Sequence, residues 1–198
     1  MNIIVKPYGS DLCYCRPDTT WERENKDFYS PECVNEIYWT PVVFARVSKA
    51  GKCVGSKFVE RYYDGVGCGV LLYCGTSTTP CEGSAGVRSL SEVVDRSSIL
   101  PHPLFQPVVL EDEKEFVVSC QHDAQGNAAL SHNIILSGAK DLLEEALCNA
   151  SQLTSLRIGD FVAVELKELQ KLVSREEGDI AVKGEFCEKE IFGFNIVF

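Results

Sequence analysis

The fold is decided by the stretch Ser151-Gln152-Leu153-Thr154-Ser155-Leu156-Arg157-Ile158-Gly159-Asp160, which separates a helical pattern from an apolar run. The helical pattern extends from Ser137 to Ala150, where apolar side chains recur every three or four residues. The apolar run, Phe161-Val162-Ala163-Val164, has the length of a strand. Glycine readily adopts the positive φ of a tight turn, and Asp bonds to nearby backbone N–H groups. We therefore predict a helix, a turn at Gly159-Asp160 and a buried strand.

Strand patterns dominate the rest of the chain. The same turn chemistry recurs at Gly178-Asp179, ahead of a second short apolar run. The strand candidates are Pro41–Val47, Phe58–Tyr63, Val66–Tyr73, Val108–Leu110, Glu115–Cys120, Ile180–Val182 and Ile191–Phe198. Val108–Leu110 and Glu115–Cys120 flank an acidic turn and are predicted to form a hairpin. Many strands with one or two helices, in unequal runs, favour an α+β, mainly β fold over a parallel βαβ architecture.

The chain is predicted to hold one domain preceded by a short N-terminal segment. Residues 10–40 are polar and aromatic by turns and contain Pro17 and Pro31, so the segment 1–40 is predicted to be irregular. Residues 41–198 are predicted to form the domain. Thr76 to Gly86 is rich in Gly, Ser, Thr and Pro, which predicts a surface loop.

The composition excludes several classes of partner. The 198 residues include 29 acidic and 19 basic side chains, a formal net charge of −10, so the protein repels phosphate backbones and no nucleic-acid partner is expected. A basic cluster is interpreted as a solvated face because no aromatic platform accompanies it; its members are Lys49, Lys52, Lys57 and Arg61. No apolar run reaches the roughly 18 residues of a membrane helix, and the start lacks the apolar region of a signal peptide. We expect a cytoplasmic protein with no membrane partner.

Cysteine and histidine give no complete catalytic or metal motif. Two groups of cysteines lack the two-residue spacing of a zinc knuckle: Cys13 with Cys15, and Cys68 with Cys74 and Cys81. Most of the ten cysteines are interpreted as reduced thiols, and small buried side chains are the favoured reading. The histidines, His102 between two prolines and His122 and His132 around a polar loop, are either solvated or parts of a site. No nucleophile elbow, phosphate loop or dinucleotide fingerprint is present.

The order of the elements resembles the fumarylacetoacetate hydrolase superfamily. Members of that family have a helix, then Ser-x-x-x-Thr-Leu-x-x-Gly-Asp, a strand, a second Gly-Asp turn and a closing strand. The stretch 151–160 and Gly178-Asp179 stand in those places. Pro41-Val42-Val43-Phe44 is similar to the family's Pro-x-x-Phe strand, and Ser91-Glu92-Val93-Val94-Asp95 is similar to a segment that ends in a Phe-Asp pair. The resemblance covers residues 41–198.

The resemblance implies a mainly β fold of strands folded back on themselves, a dimer, and a metal-dependent site. In that site Mg²⁺ or a similar divalent cation chelates a β-dicarbonyl compound or a 2-oxo acid, and the metal ligands are a Glu-x-Glu pair on a strand and a later Asp. Here that strand reads Gly65-Val66-Gly67-Cys68-Gly69-Val70, without either glutamate. Asp64 is one carboxylate that remains beside it.

Other positions of the family's active site also differ in this chain. The resemblance matches Arg46 to the family's active-site Lys on its first strand, and Glu92 to a later Lys. It matches Ser119-Cys120-Gln121 to the family's Asn-Gly-Glu turn. The family's substrate loop, Thr-Gly-Thr-Pro, is matched by Val164-Glu165-Leu166-Lys167. Glycines offer no metal ligand, which argues against the family's ordinary mechanism.

Two hypotheses of function follow from the resemblance. The first is a fumarylacetoacetate-hydrolase-like scaffold without the metal site and with no cofactor, acting as a binding or structural subunit. We expect it to be a homodimer, with a small-molecule carboxylate as a candidate ligand. The second is a hydrolase or isomerase that acts on a 2-oxo acid or β-dicarbonyl compound with a divalent cation such as Mg²⁺. Its rebuilt site would contain Arg46, Asp95, His102 and His122 as catalytic residues and Asp64 as a metal ligand.

Overall fold

The structure is a computed structural model that describes residues 1–76, 93–122 and 130–198. These residues form mainly β-sheet with one α-helix, which confirms the predicted α+β, mainly β class. The strands, in chain order, are β1 (Asn2–Lys6), β2 (Tyr14–Pro17), β3 (Trp21–Glu22), β4 (Phe28–Tyr29), β5 (Glu36–Val47), β6 (Tyr63–Gly75), β7 (Ser98–Ile99), β8 (Glu115–His122), β9 (Leu130–Ile135), β10 (Phe161–Glu165), β11 (Gln170–Ser174), β12 (Ile180–Phe186) and β13 (Lys189–Val197). The α-helix is α1 (Ala139–Leu153), and 3₁₀ helices span Asp18–Thr20, Ser56–Arg61 and Pro107–Leu110.

Strands β5 and β6 form the centre of the larger sheet. They pair antiparallel from Glu36 opposite Gly75 to Val47 opposite Tyr63. The strand order is β2-β1-β10-β5-β6-β7-β3, and β11 pairs with the first part of β5. β1 is parallel to β10, so the first strand of the chain lies beside the strand that follows the helix. The smaller sheet has the order β4-β13-β12-β8-β9.

Two apolar cores lie on the two faces of the larger sheet, because successive side chains of a strand point to opposite faces. In β5, Val43 and Ala45 belong to the first core, which also receives the helix and the smaller sheet. Val42 and Phe44 belong to the second core on the other face, together with side chains of β1, β6 and β10. Gly65 and Gly67, which the resemblance matches to the family's metal-binding strand, adjoin the second core.

The predicted helix and its following turn are confirmed. Helix α1 begins at Ala139 instead of Ser137 and ends at Leu153 instead of Ala150. It packs on β10 and β5 through a buried face of Leu143, Ala146, Leu147 and Ala150. Gly159 has φ +89° and Gly178 has φ +81°, as the two predicted turns require. None of the helices in the described ranges has the length and apolar character needed to cross a membrane.

Two of the predicted strands are wrong. Phe58–Tyr63 largely forms the 3₁₀ helix Ser56–Arg61, in which only Val59 is buried, so the segment has no apolar face that a sheet could cover. Val108–Leu110 lies in the 3₁₀ helix that begins at Pro107. Consequently β8 pairs with β9 and β12, and the predicted hairpin is wrong as well. The other strand candidates are present as β5, β6, β8, β12 and β13.

The N-terminal residues belong to both sheets, which corrects the expectation of a separate irregular segment. β1, β2 and β3 lie in the larger sheet, and β4 pairs with β13 in the smaller one. β5 begins at Glu36, so the predicted boundary between residues 40 and 41 falls inside a strand. The partners of these short strands are distant in sequence, and a local pattern contains no signal for such pairs. Of the predicted loop Thr76–Gly86, all but Thr76 lies outside the described residues.

The cysteines occupy mixed environments. Cys68, Cys74 and Cys120 are buried, as the interpretation of small apolar side chains requires. Three others, Cys15, Cys33 and Cys53, are exposed, and Cys81 lies outside the described residues. The interpretation therefore holds for Cys68, Cys74 and Cys120 and is wrong for Cys15, Cys33 and Cys53.

Candidate functional site

Two glycines on β6 mark the strand that the resemblance matches to the family's metal-binding strand. Gly65 and Gly67 share one face because they are two residues apart, and that face adjoins the second core. The space beside them is filled. A Cβ atom on Gly65 would lie 2.9 Å from Leu104 Cδ1, and one on Gly67 would lie 2.5 Å from Phe44 Cζ. A larger side chain fits at either position only if its neighbour moves.

A charged pair lies beside these glycines. Arg46, on β5, is opposite Gly65 in the register of β5 and β6. Its Nε and Nη2 donate to the two carboxylate oxygens of Asp64, each at 2.9 Å. Donation of these hydrogen bonds to Asp64 raises the pKa of Arg46 above its ordinary value. The side chains are 44% and 47% exposed, so the pair lies at the surface and the Asp64 carboxylate is already engaged.

His102 lies on the same side of the larger sheet. Its ring packs edge-on against Trp21, with 5.5 Å between ring centroids, and lies 6.4 Å from the ring of Phe161. Phe161 is opposite Arg46 in the register of β10 and β5. Burial lowers the pKa of His102, and the positive charges of Arg23 and Arg46 lower it further. The imidazole is therefore mainly neutral at pH 7.

A buried polar network occupies the second core further along β6. Arg16 Nε donates to the Tyr14 hydroxyl at 3.4 Å, and the hydroxyl oxygens of Tyr14 and Tyr73 are 2.5 Å apart. Tyr73 in turn donates to Glu165 at the end of β10. The other carboxylate oxygen of Glu165 accepts the backbone N–H of Tyr8 at 2.9 Å. The network therefore ties β2, β6 and β10 to the loop that follows β1.

Arg16 is fully buried, and hydrogen bonds satisfy its guanidinium. Nη1 donates to the side chains of Ser97 and Ser98 and to the carbonyl of Ser97, and Nη2 donates to the carbonyl of Leu72, all at 3.2 Å. The guanidinium carbon lies 4.4 Å from the centre of the Tyr73 ring. A buried cation is tolerated only when its donors are used in this way.

Burial keeps the two tyrosines of the network protonated. Burial is the main cause that raises the pKa of Tyr73 well above its ordinary value, and it is also the main cause for Tyr14. Burial lowers the pKa of Arg16, but the interactions with Tyr73 and Tyr14 outweigh it and the pKa rises. Two neutral phenols therefore link a buried cation to the carboxylate of Glu165.

Comparisons with known proteins give a match to solved structures alone. No family model matches the sequence, and no curated protein matches it significantly. The maleylpyruvate hydrolase from Sphingobium sp. SYK-6 aligns with a TM-score of 0.71 and 13% identity over 99% of this chain and 70% of that chain. A fumarylacetoacetate hydrolase family protein from Yersinia pestis CO92 aligns with a TM-score of 0.68 and 13% identity over 99% of this chain and 92% of that chain. The fumarylpyruvate hydrolase from Pseudomonas aeruginosa, solved in complex with Mn²⁺ and pyruvate, aligns with a TM-score of 0.68 and 13% identity over 100% of this chain and 90% of that chain.

The chain has the fold of the fumarylacetoacetate hydrolase family. This confirms the fold that the sequence resemblance implied for residues 41–198. The alignments cover 99% of this chain, so the N-terminal residues belong to the same fold. At 13% identity the structural similarity shows the fold alone, so the chemistry of this chain must be inferred from its own residues.

The residues of this chain do not fit the divalent cation of fumarylacetoacetate hydrolases. Glycines stand where the resemblance expects the two glutamates, and Leu104 and Phe44 fill the adjoining space. Within residues 1–76, 93–122 and 130–198, no group of three or more His, Cys, Asp or Glu side chains could hold a metal ion. A hard cation takes about six or more oxygen ligands. Asp64 alone, already bound by Arg46, does not supply them.

The five residues of the predicted site do not all lie in one place in the structure. Arg46 and Asp64 form an ion pair beside Gly65, and His102 lies on the same side of the larger sheet, near Trp21 and Phe161. Asp95 is exposed in the turn that precedes β7. His122 ends β8 in the smaller sheet, opposite Ile180, and therefore belongs to another part of the fold.

Sequence reasoning missed the network of Arg16, Tyr14, Tyr73 and Glu165. Tyr14 and Arg16 lie in the segment that was expected to be irregular, and their partners are more than 50 residues away. A signal was present, because two polar side chains separated by one residue share a face of a strand. Glu165 also lies in Val164-Glu165-Leu166-Lys167, which the resemblance matches to the family's substrate loop.

Proposed function

We propose that this protein is a non-catalytic binding or structural subunit, built on the fumarylacetoacetate hydrolase fold without its metal site. The observation that carries the proposal is the filled space beside Gly65 and Gly67, where Leu104 and Phe44 pack. These side chains belong to, or pack against, the second core. In this chain the place of the family's cation is part of an apolar core.

The charges around that place support the same proposal. Both carboxylate oxygens of Asp64 accept hydrogen bonds from Arg46, so a cation would have to displace the guanidinium to bind this carboxylate. Burial is the main cause that lowers the pKa of His102, and the positive charges of Arg23 and Arg46 lower it further. A positive surrounding repels Mg²⁺ or Mn²⁺ and attracts anions. A small carboxylate is therefore a candidate ligand, and a homodimer in the cytoplasm remains the expected setting.

A second candidate function is a hydrolase or isomerase acting on a 2-oxo acid or β-dicarbonyl compound. The observation that favours it is that Arg46, Asp64 and His102 lie on the same side of the larger sheet, where Phe161, opposite Arg46, adjoins His102. They supply a guanidinium, a carboxylate and an imidazole. General acid–base catalysis uses groups of these types. Such an enzyme would work without the family's two glutamates.

Calorimetric titration with Mn²⁺, in the presence and absence of pyruvate, tests the proposal. The fumarylpyruvate hydrolase from Pseudomonas aeruginosa, whose structure contains both, is the positive control. For this protein we expect no binding tighter than about millimolar and no rise in melting temperature, because a cation that does not bind the native state cannot stabilise it. Micromolar binding that the Asp64→Asn variant abolishes would support the enzyme instead.

A further inference from the structure

A groove runs between helix α1 and the loop that follows β1. Two adjoining cavities of about 370 and 460 Å³ form it, and Asp11 lines both. The helix supplies one wall, with Leu142, Glu145, Asn149, Gln152 and Leu153. The loop supplies the other wall, with Tyr8, Asp11 and Leu12. We refer to this site as the helix groove.

Large apolar side chains are exposed on both walls of the helix groove. Leu12 is 70% exposed and Tyr8 50% on the loop, and Leu153 is 58% and Leu142 41% exposed on the helix. The helix residues that line the groove recur at helical spacing, so they form one stripe along α1. Apolar side chains that cluster in a surface concavity are typical of interaction sites.

The accessible charge of the groove is negative. Asp11 lies where the two cavities meet, and the Glu145 side chain remains 53% exposed although one of its oxygens contacts Lys6 Nζ at 2.7 Å. Lys6 is the basic residue among those that line the groove, and its side chain is only 10% exposed. The last turn of α1 contains no basic residue, so the negative end of the helix dipole beside Leu153 is not compensated.

We propose that the helix groove binds a peptide segment of a partner protein in which a Lys or Arg lies between apolar side chains. The apolar side chains would pack on Leu12, Leu142 and Leu153, and the cation would lie near Asp11 and Glu145. A second copy of this chain is a poorer occupant, because its net charge is also −10 and like charges across an interface oppose association. The proposal names the partner chemistry of the binding role proposed above and so rests on it, but none of its residues belongs to the glycine strand.

Selection of random peptides displayed against the full-length protein tests this inference. We expect the enriched peptides to contain a basic residue between apolar residues. A synthetic peptide of the most enriched sequence should bind in fluorescence anisotropy, and high salt should weaken the binding. Leu12→Ala, Leu153→Ala and Glu145→Gln should each weaken it about tenfold or more. Leu130→Ala is the matched control, because Leu130 is 62% exposed on β9 of the other sheet and should leave the affinity unchanged.

Several outcomes would overturn the inference. They are the absence of enrichment, enriched peptides without basic residues, and equal affinity for the groove variants and the control variant. Sedimentation that shows a dimer dissociated by Leu12→Ala would identify a second copy as the occupant instead. Melting temperatures verify that the variants are folded. The Mn²⁺ titration is independent of all these readings, so a failure of the peptide experiment is distinguishable from a failure of the proposed function.

Discussion

Arg46 on β5 donates two hydrogen bonds of 2.9 Å to Asp64 on β6, one to each carboxylate oxygen, and Asp64 precedes Gly65, the residue opposite Arg46. The family resemblance matches Arg46 to a lysine of fumarylacetoacetate hydrolases and the part of β6 that follows Asp64 to their metal-binding strand. In this chain Arg46 binds the nearest carboxylate, that of Asp64. The two side chains could each take part in a reaction, but here each neutralises the charge of the other.

Because this pair is exposed, its removal should have little effect on stability. We expect Arg46→Gln and Asp64→Asn each to lower the free energy of unfolding by less than about 1 kcal/mol, since solvent screens such pairs. Urea denaturation measures the difference. A loss of several kcal/mol would mean that the pair is structural rather than a surface feature.

A glutamate restored on the glycine strand should destabilise the protein. In Gly67→Glu the new Cβ would lie 2.5 Å from Phe44 Cζ, and a carboxylate would enter an apolar core. We expect a loss of at least about 2 kcal/mol in urea denaturation. Gly55→Glu is the matched control, because nothing lies within 4 Å of a Cβ there and the backbone is ordinary; it should change stability by less than about 0.5 kcal/mol. Equal stability of Gly67→Glu and Gly55→Glu would contradict the conclusion that Phe44 fills the space beside Gly67.

The turn before β10 should depend on its glycine. Gly159 has φ +89°, a conformation that is strained for a β-branched residue. We expect Gly159→Val to lower the free energy of unfolding by about 1–3 kcal/mol, measured by thermal melting. Gly55→Val, at a negative φ, should be neutral or slightly stabilising. An unchanged melting temperature for Gly159→Val would contradict the turn.

The phenol of Tyr73 should matter both for stability and for its pH dependence. Tyr73→Phe removes the hydrogen bonds of the Tyr73 hydroxyl to Glu165 and to Tyr14, so we expect a loss of about 1–3 kcal/mol at pH 7. Tyr29→Phe, 68% exposed, is the control and should have no effect.

The sign of the pH effect follows from the raised pKa of Tyr73 in the folded state. Above the ordinary value of 10.0 the unfolded chain loses this proton while the native state keeps it, so stability falls as pH rises. Tyr73→Phe should reduce that slope by about 1.4 kcal/mol per pH unit. The same slope in wild type and variant would show that Tyr73 ionises normally.

The sequence predicts the parts of this fold that local patterns specify. The helix, the Gly159 and Gly178 turns and the central strands all follow from periodicity or turn chemistry within about ten residues. The missed parts depend on distant partners. β1 is recognisable only beside β10, and Arg16 is a core residue only because Ser97, Ser98 and Leu72 surround its guanidinium.

The candidate site shows the same limit. The absence of glutamates at Gly65 and Gly67 is visible in the sequence. The side chains that fill the space are not, since Leu104 comes 39 positions after Gly65, the residue it covers. Arg46 and Asp64 could be proposed from the family's pattern, and only the register of β5 and β6 brings them together.

The parallel pairing of β1 with β10 has a consequence for how the chain folds. Residues 3–6 pair with residues 161–164, so β1 has no partner on that side until some 155 further residues have been synthesised. The β5–β6 hairpin can form early because its contacts are local, but one edge of β5 then stays open until β10 arrives. An open, apolar strand edge is a template for intermolecular pairing. Chains that stop before Phe161 should therefore aggregate, and the nascent protein is a natural client for a chaperone that shields strand edges.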